Sequence, residues 1–112
     1  GMEHIGKFTS LTHLILSGTK IADDGMKHTE KLTSLKHLRL SGTKVSDLGM
    51  EHLKKMITLE RIALECTFIT DAGLEHLKGC VRLNGVEVSG TRVTKQGKAS
   101  LKKALPRCRF FE

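Results

Sequence analysis

A leucine recurs at one fixed spacing along most of the chain, and this spacing constrains the fold more than any other feature. The recurring residues are Leu11, Leu35, Leu59 and Leu83. Around each of them the aliphatic, threonine and glycine positions also recur, which gives the pattern LxxLxLxxTx[IV]xxxG. A pattern held in register four times predicts that every repeat folds as one unit and buries its apolar side chains by stacking on the next.

Each repeat contains one short strand and one turn. The LxL segment alternates, so its two leucines point to one side and the residue between them to the other. A Ser-Gly-Thr turn follows at 17–19, 41–43 and 89–91, and Glu-Cys-Thr replaces it at 65–67. Glycine suits unusual backbone angles there, and we expect the four threonine hydroxyls to bond to loop backbone groups.

A helix is expected in the second half of each repeat. An aspartate stands at the start of three of the four predicted helices (Asp23, Asp47 and Asp71), where a carboxylate suits the exposed N–H groups of a first turn. Lys95 takes the place of that aspartate in the last repeat, so we expect the last helix to fray at its start unless Thr94 caps it. The predicted helices are 23–32, 47–56, 71–80 and 95–104.

These motifs resemble the leucine-rich repeat, with threonine where many members have asparagine. Segments such as ITDAGLEHL at 69–77 are similar to the cysteine-containing branch and to bacterial repeats of the same period. The resemblance covers nearly the whole chain. It implies an α/β fold, a right-handed leucine-rich-repeat solenoid with a short parallel sheet on the concave side and helices on the convex side.

The predicted domain is a single unit over 1–112. It holds about four repeats that start near Leu11, Leu35, Leu59 and Leu83, with a half repeat at 1–10. Pro106 is expected to end the last helix, and a C-terminal edge strand is expected near 108–111. A half repeat leaves the first strand without a strand before it, so the chain is either a fragment or able to self-associate through this uncapped N-terminal end.

The strand residues that point away from the core are candidates for recognition. They tile one continuous surface, the concave face, because neighbouring strands lie about 4.8 Å apart. The resemblance implies that this face binds another protein. The predicted protein-binding residues are His13, Ile15, His37, Arg39, Arg61, Ala63, Glu65, Glu87 and Phe111. A simpler interpretation is that the arginines and glutamates only pair across strands, each pair contributing a few tenths of a kcal/mol.

The net charge of +7 is concentrated at one end of the chain. Seven basic residues and one glutamate fall within 92–112, whereas the charges of 1–91 nearly cancel. This pattern fits either an anion or nucleic-acid surface or a solvated polar cap on the solenoid. The predicted anion-binding residues are Arg92, Lys95, Lys98, Lys102, Lys103 and Arg107.

Little in the sequence indicates a metal site or catalysis. All six histidines fall on repeated positions, where His13 and His37 without a nearby carboxylate or thiol would make a poor zinc site. His76 and Cys80 are four residues apart on one helix, but Cys80 takes an apolar core position. We therefore expect no enzyme activity, no metal and no cofactor.

Composition indicates the cellular environment in which the protein is expected to work. There is no apolar run long enough to cross a bilayer as a helix, so no membrane span is expected. The three cysteines are odd in number and form no CxxC, which favours a reducing compartment such as the cytoplasm. The predicted function is protein–protein interaction through the concave face. The alternatives are a binder of nucleic acid or acidic surfaces through the basic C-terminal repeat, and a structural spacer in a larger protein.

Overall fold

The computed structural model describes residues 10–111 and contains five parallel strands in sequential order. Each strand has three residues and pairs with the next in a register of one full repeat, so repeated positions lie side by side. The strands are β1 His13–Ile15, β2 His37–Arg39, β3 Arg61–Ala63, β4 Gly85–Glu87 and β5 Arg109–Phe111. The predicted α/β solenoid is confirmed. The half repeat predicted at 1–10 lies, except for Ser10, outside the described residues.

The helical half of each repeat differs from the prediction in three cases. The α-helices are α1 Asp23–Met26, α2 Asp47–Met50, α3 Asp71–Glu75 and α4 Lys95–Ala104. The first three continue as the 3₁₀ segments Lys27–Lys31, Glu51–Leu53 and His76–Gly79. The prediction of full-length α-helices was therefore wrong for 23–32, 47–56 and 71–80. A 3₁₀ turn rises about 2.0 Å per residue against about 1.5 Å for an α-helix, so it returns the chain toward the next strand with fewer residues.

One continuous aliphatic core runs between the sheet and the helices. It is built from the repeated leucine, isoleucine, valine and methionine positions, such as Leu38, Ile62 and Val86 at the middle of three neighbouring strands. Cys80 and Cys108 are also buried in this core, and burial raises the pKa of both thiols, that of Cys80 to about 11. The thiols therefore behave as small apolar groups.

The four turn threonines act as predicted. Each hydroxyl donates to the backbone carbonyl three residues earlier, at 2.5 to 2.7 Å. Thr43 and Thr67 are buried while they do so. The same carbonyl also accepts the backbone N–H of that threonine at 3.1 to 3.3 Å, so the hydroxyl and the N–H together close the turn.

The aspartates that begin the first three helices bind the next coil instead of capping their own helix. The Asp47 carboxylate accepts hydrogen bonds from the Thr70 backbone N–H at 2.8 Å and from the Thr70 hydroxyl at 2.6 Å. The same two bonds join Ser46 to Asp23 and Thr94 to Asp71. These bonds form a ladder of carboxylates that ties each coil to the one that follows.

The glycine that recurs in each helix makes room for this ladder. A Cβ atom on Gly73 would lie 2.5 Å from Asp47 Oδ1, and one on Gly97 would lie closer still to Asp71 Oδ1. Both approaches are too short for non-bonded atoms, so any side chain there displaces the carboxylate. The repeated aspartate and the repeated glycine are therefore two parts of one feature.

The expected fraying of the last helix was wrong. Helix α4 is continuous from Lys95 to Ala104, the longest α-helix in the described part of the chain. The Thr94 hydroxyl accepts the backbone N–H of Gly97 at 3.2 Å, so capping by Thr94 is confirmed. This cap satisfies a first-turn N–H without a carboxylate at position 95.

Replacing Cys66 with glycine is expected to stabilise the protein by about 0.5–1 kcal/mol. Cys66 has φ 58°, while the equivalent glycines at 18, 42 and 90 have φ 72–75°. An L-residue in this conformation costs about 1–2 kcal/mol, and part of the gain is offset by the greater freedom of glycine in the unfolded chain. Urea unfolding measures the difference. Cys66→Ser keeps the strained backbone and should give no gain, so equal gains in the two variants would contradict the explanation.

The concave sheet face

Two rows of side chains cross the concave face because neighbouring strands pair one full repeat apart. The first row is His13, His37, Arg61, Gly85 and Arg109. The second row is Ile15, Arg39, Ala63, Glu87 and Phe111. The residue between the two rows on each strand points into the core, as the period of two requires. The rows place the strand residues predicted to bind a partner on one surface.

The N-terminal part of the face has two stacked imidazoles. The rings of His13 and His37 are 4.3 Å apart and inclined by only 7°. Burial is the main cause that lowers the pKa of His37, and the neighbouring His13 lowers it further. Ile15 stands next to this pair with 68% of its surface exposed. This end of the face therefore combines a stacked imidazole pair with an exposed apolar side chain.

Arg61 is held by two neighbours in the C-terminal part of the face. Its guanidinium carbon lies 4.7 Å from the centre of the Phe111 ring, a cation–π distance. Its Nη2 atom is 3.7 Å from a Glu87 carboxylate oxygen. Gly85 lies between these groups, and a Cβ atom there would be 2.9 Å from the Phe111 ring and 3.0 Å from Arg61 Nε. Gly85 was not among the predicted site residues, although its lack of a side chain allows Arg61 and Phe111 to meet.

The two glutamates of the face are close to each other. Burial raises the pKa of Glu87 first, and the neighbouring Glu65 carboxyl raises it further through a hydrogen bond and charge repulsion. Glu65 also accepts the Ser41 hydroxyl at 3.1 Å. The predicted cross-strand pairing thus occurs between Arg61 and Glu87, whereas Arg39 has no carboxylate within 4 Å among residues 10–111.

Ala63 differs from its predicted environment. It was expected to be exposed, but only 7% of its surface is accessible. The longer side chains of Arg39, Arg61 and Glu87 stand around it and cover a residue that ends at Cβ. Ala63 is therefore the floor of a hollow rather than a projecting contact.

The basic residues of the last repeat do not all point into solvent at one place. The Lys102 ammonium group donates to the Cys108 carbonyl at 3.0 Å, and the Lys98 ammonium group lies 5.7 Å from the Phe110 ring centre. These two lysines cover the end of the sheet, which fits the interpretation as a polar cap. Lys102 is nevertheless exposed, as are the remaining members of the predicted anion-binding set: Arg92, Lys95, Lys103 and Arg107.

On the helical side, His52 joins two neighbouring coils. His52 Nδ1 contacts a carboxylate oxygen of Glu30, one coil earlier. Within residues 10–111, no three His, Cys, Asp or Glu side chains are grouped closely enough to hold a metal ion. None of the helices described is long and apolar enough to cross a bilayer.

Residues 9–27 and 31–54 match the family model for the Leucine Rich repeat, and the parallel sheet with one helix per coil continues that repeat through the remaining residues. The chain therefore has the leucine-rich-repeat fold, and its first two repeats match the family model. No curated protein matches it. The resemblance read from the sequence is thereby confirmed for the repeat family.

Three solved structures have the same fold. A leucine-rich-repeat protein of Leptospira interrogans aligns with a TM-score of 0.73 at 24% identity, over 91% of this chain and 25% of that one. The actin-binding site 2 of leiomodin-1 aligns with a TM-score of 0.72 at 15% identity, over 99% and 77%. An internalin of Listeria monocytogenes gives 0.58 at 17% identity, over 95% and 36%. This leucine-rich-repeat chain spans a quarter of the length of the Leptospira protein.

Proposed function

We propose that this leucine-rich-repeat chain binds another protein through its concave face and performs no catalysis. The observation that carries the proposal is the face itself: two rows of side chains that the core does not require, on five strands held rigid by stacking. Ile15 and Phe111 remain 68% and 40% exposed there beside arginine and glutamate side chains. Exposed apolar and aromatic groups mixed with arginine are typical of protein interfaces.

The fold comparisons support the same class of function. The repeat is a common protein–protein interaction module, and one structural neighbour is by its name an actin-binding site. Sequence identity as low as theirs transfers no partner from these proteins, so the partner is defined here only by the surface it must fit. The predicted protein-binding residues remain proposals, as does self-association through the N-terminal end.

Two exposed substitutions on the concave face are expected to abolish partner capture. Arg39→Glu with Ile15→Asp reverses a charge and removes an apolar contact without touching the core. Immobilised wild-type and variant proteins are incubated with a lysate of the source organism, and retained proteins are identified by mass spectrometry. Proteins retained by the wild type should be absent from the double variant.

The matched control makes the same kind of chemical change away from the sheet. Lys31→Glu with Ile57→Asp alters two exposed residues that belong to no strand, and it should retain the wild-type partners. Thermal unfolding of both variants checks that the fold is kept. If the concave variant retains the same partners as the control, the concave face is not the binding site.

The alternative through the basic C-terminal repeat predicts a different salt response. A polyanion contact weakens steeply with added salt because counterions are released, whereas a mixed-charge protein interface weakens less. Lys98 and Lys102 are engaged with the end of the sheet, which favours the concave face over this alternative. If no partner is captured at either surface, a structural spacer is the remaining interpretation.

A further inference from the structure

The charges of the concave face are unevenly satisfied. Glu87 has Arg61 at 3.7 Å, and Glu65 accepts the hydroxyl of Ser41 at 3.1 Å. Arg39 is exposed, and within residues 10–111 its side chain has no hydrogen bond and no carboxylate within 4 Å. Both acidic groups of the face therefore have a close polar contact, while Arg39 acts on Glu87 only from beyond 4 Å.

A small hollow lies beside this arginine. Ala63 forms its floor between Arg39 and Glu87 in the strand register, and His37 and Arg61 complete the wall. Its volume is about 40 Å³. Pockets for drug-sized ligands hold about 300–1,000 Å³, so this hollow has room for a head group of a few atoms and not for a whole ligand.

The lining selects the chemistry of that head group. An arginine presents a planar fork of donors that matches a carboxylate, and the two arginines of the wall outnumber its single carboxylate, which Arg61 already contacts. We propose that the hollow above Ala63 receives the carboxylate of an aspartate or glutamate side chain of a protein partner. The inference rests on the proposed function, because it names the partner chemistry for the same face.

A basic side chain is the competing occupant, since Glu65 and Glu87 lie close together. Such a group would have to displace Arg61 from Glu87 or meet its positive charge at short range. The arrangement of charges therefore favours an acidic residue, and the experiment below gives the basic residue an equal chance to appear.

The test selects random displayed peptides on the immobilised wild-type protein. Peptides that bind the concave face are recognised because the Ile15→Ser/Phe111→Ser variant, which changes no charge, no longer binds them. We expect these peptides to share an aspartate or glutamate, and its replacement by the matching amide should weaken binding at least about tenfold, as loss of a charged hydrogen-bonded pair does.

Two protein variants locate the carboxylate. Arg39→Gln should weaken an acidic peptide at least about tenfold and should remove the difference between that peptide and its amide form. Ala63→Leu fills the hollow and should do the same, while Arg82→Gln, an exposed arginine outside the sheet, should change nothing. Because Arg39 is exposed, the first variant reports on binding even if the second one folds poorly.

The outcomes separate this inference from the proposed function. Concave-face peptides without a required acidic residue, or with a required lysine or arginine, overturn the inference and leave the proposed function standing. A selection without any concave-face peptide overturns the inference as well, and the lysate capture then decides the proposed function by itself. An acidic peptide that binds the Arg39→Gln variant as tightly as the wild type places its carboxylate elsewhere and also overturns it.

Discussion

Replacing Asp47 with alanine is expected to lower the free energy of unfolding by about 3 kcal/mol. The variant loses two hydrogen bonds to an ionised group, each contributing about 1.5–3 kcal/mol, and leaves the Thr70 backbone N–H without its acceptor. Urea unfolding followed by circular dichroism measures the change. Asp24→Ala is the matched control, because Asp24 also lies in the first turn of its helix, α1, and makes no bond to the next coil in the described chain. Equal losses in the two variants would show that only the helix dipole is involved.

A double-mutant cycle with Gly73 tests the same contact more sharply. Gly73→Ala alone is expected to cost about 2 kcal/mol, because its Cβ would lie 2.5 Å from Asp47 Oδ1. With Asp47→Ala already present, the nearest remaining atom is Met50 Cγ at 3.3 Å, so a small shift of that flexible side chain suffices and the helix preference of alanine over glycine, about 1 kcal/mol, offsets it. The second substitution should therefore be neutral or stabilising in that background. If the two substitutions change the free energy of unfolding additively, the glycine is not needed to make room for the carboxylate.

Leu64→Ala is expected to destabilise the protein by about 3 kcal/mol or more. Leu64 follows the central strand β3, is fully buried, and occupies the repeat position of Leu40 and Val88 in the neighbouring coils. Large-to-small substitutions at such sites cost about 2–5 kcal/mol through lost burial and the cavity left behind. In a solenoid each coil packs only on its neighbours, so the central coil is where such a cavity weakens two interfaces.

Ile57→Ala is the control for this substitution. It also removes aliphatic groups, but Ile57 is 61% exposed, so the expected change is below about 0.5 kcal/mol. Urea unfolding of both variants supplies the comparison. A loss of unfolding free energy at Ile57 comparable to that at Leu64 would contradict the assignment of the core. It would mean that burial between the coils does not distinguish the two side chains.

The repeat spacing was sufficient to predict the strands, the turns and the core. Each of these depends on local alternation or on a single residue such as Thr43, whose hydroxyl bonds three residues back. The 3₁₀ segments could not be predicted, because inward positions spaced by three fit an α-helix and a 3₁₀ turn equally well. The start of α4 was predicted wrongly because Lys95 was judged by the rule for a helix terminus, while the aspartates it replaces serve the next coil.

A signal for that ladder was present in the sequence. Each aspartate has a serine or threonine in the next repeat, directly before the equivalent helix start. A glycine follows three positions after that serine or threonine. A pairing over this distance is visible only when one coil is laid on the next.

The concave face also has a feature that the sequence could not predict. Register placed the predicted residues on one face, whereas the hollow at Ala63 depends on the relative lengths of neighbouring side chains, which no single strand reveals.

The unequal burial of the three cysteines has a practical consequence. Cys80 and Cys108 are enclosed with raised thiol pKa values, and Cys66 is exposed in the turn directly after Glu65. Alkylating reagents attack the accessible thiolate, so a maleimide dye added to the native chain meets one reactive sulfur beside the concave face. The unaltered protein can thus carry a single fluorophore at the rim of the surface where a partner would arrive.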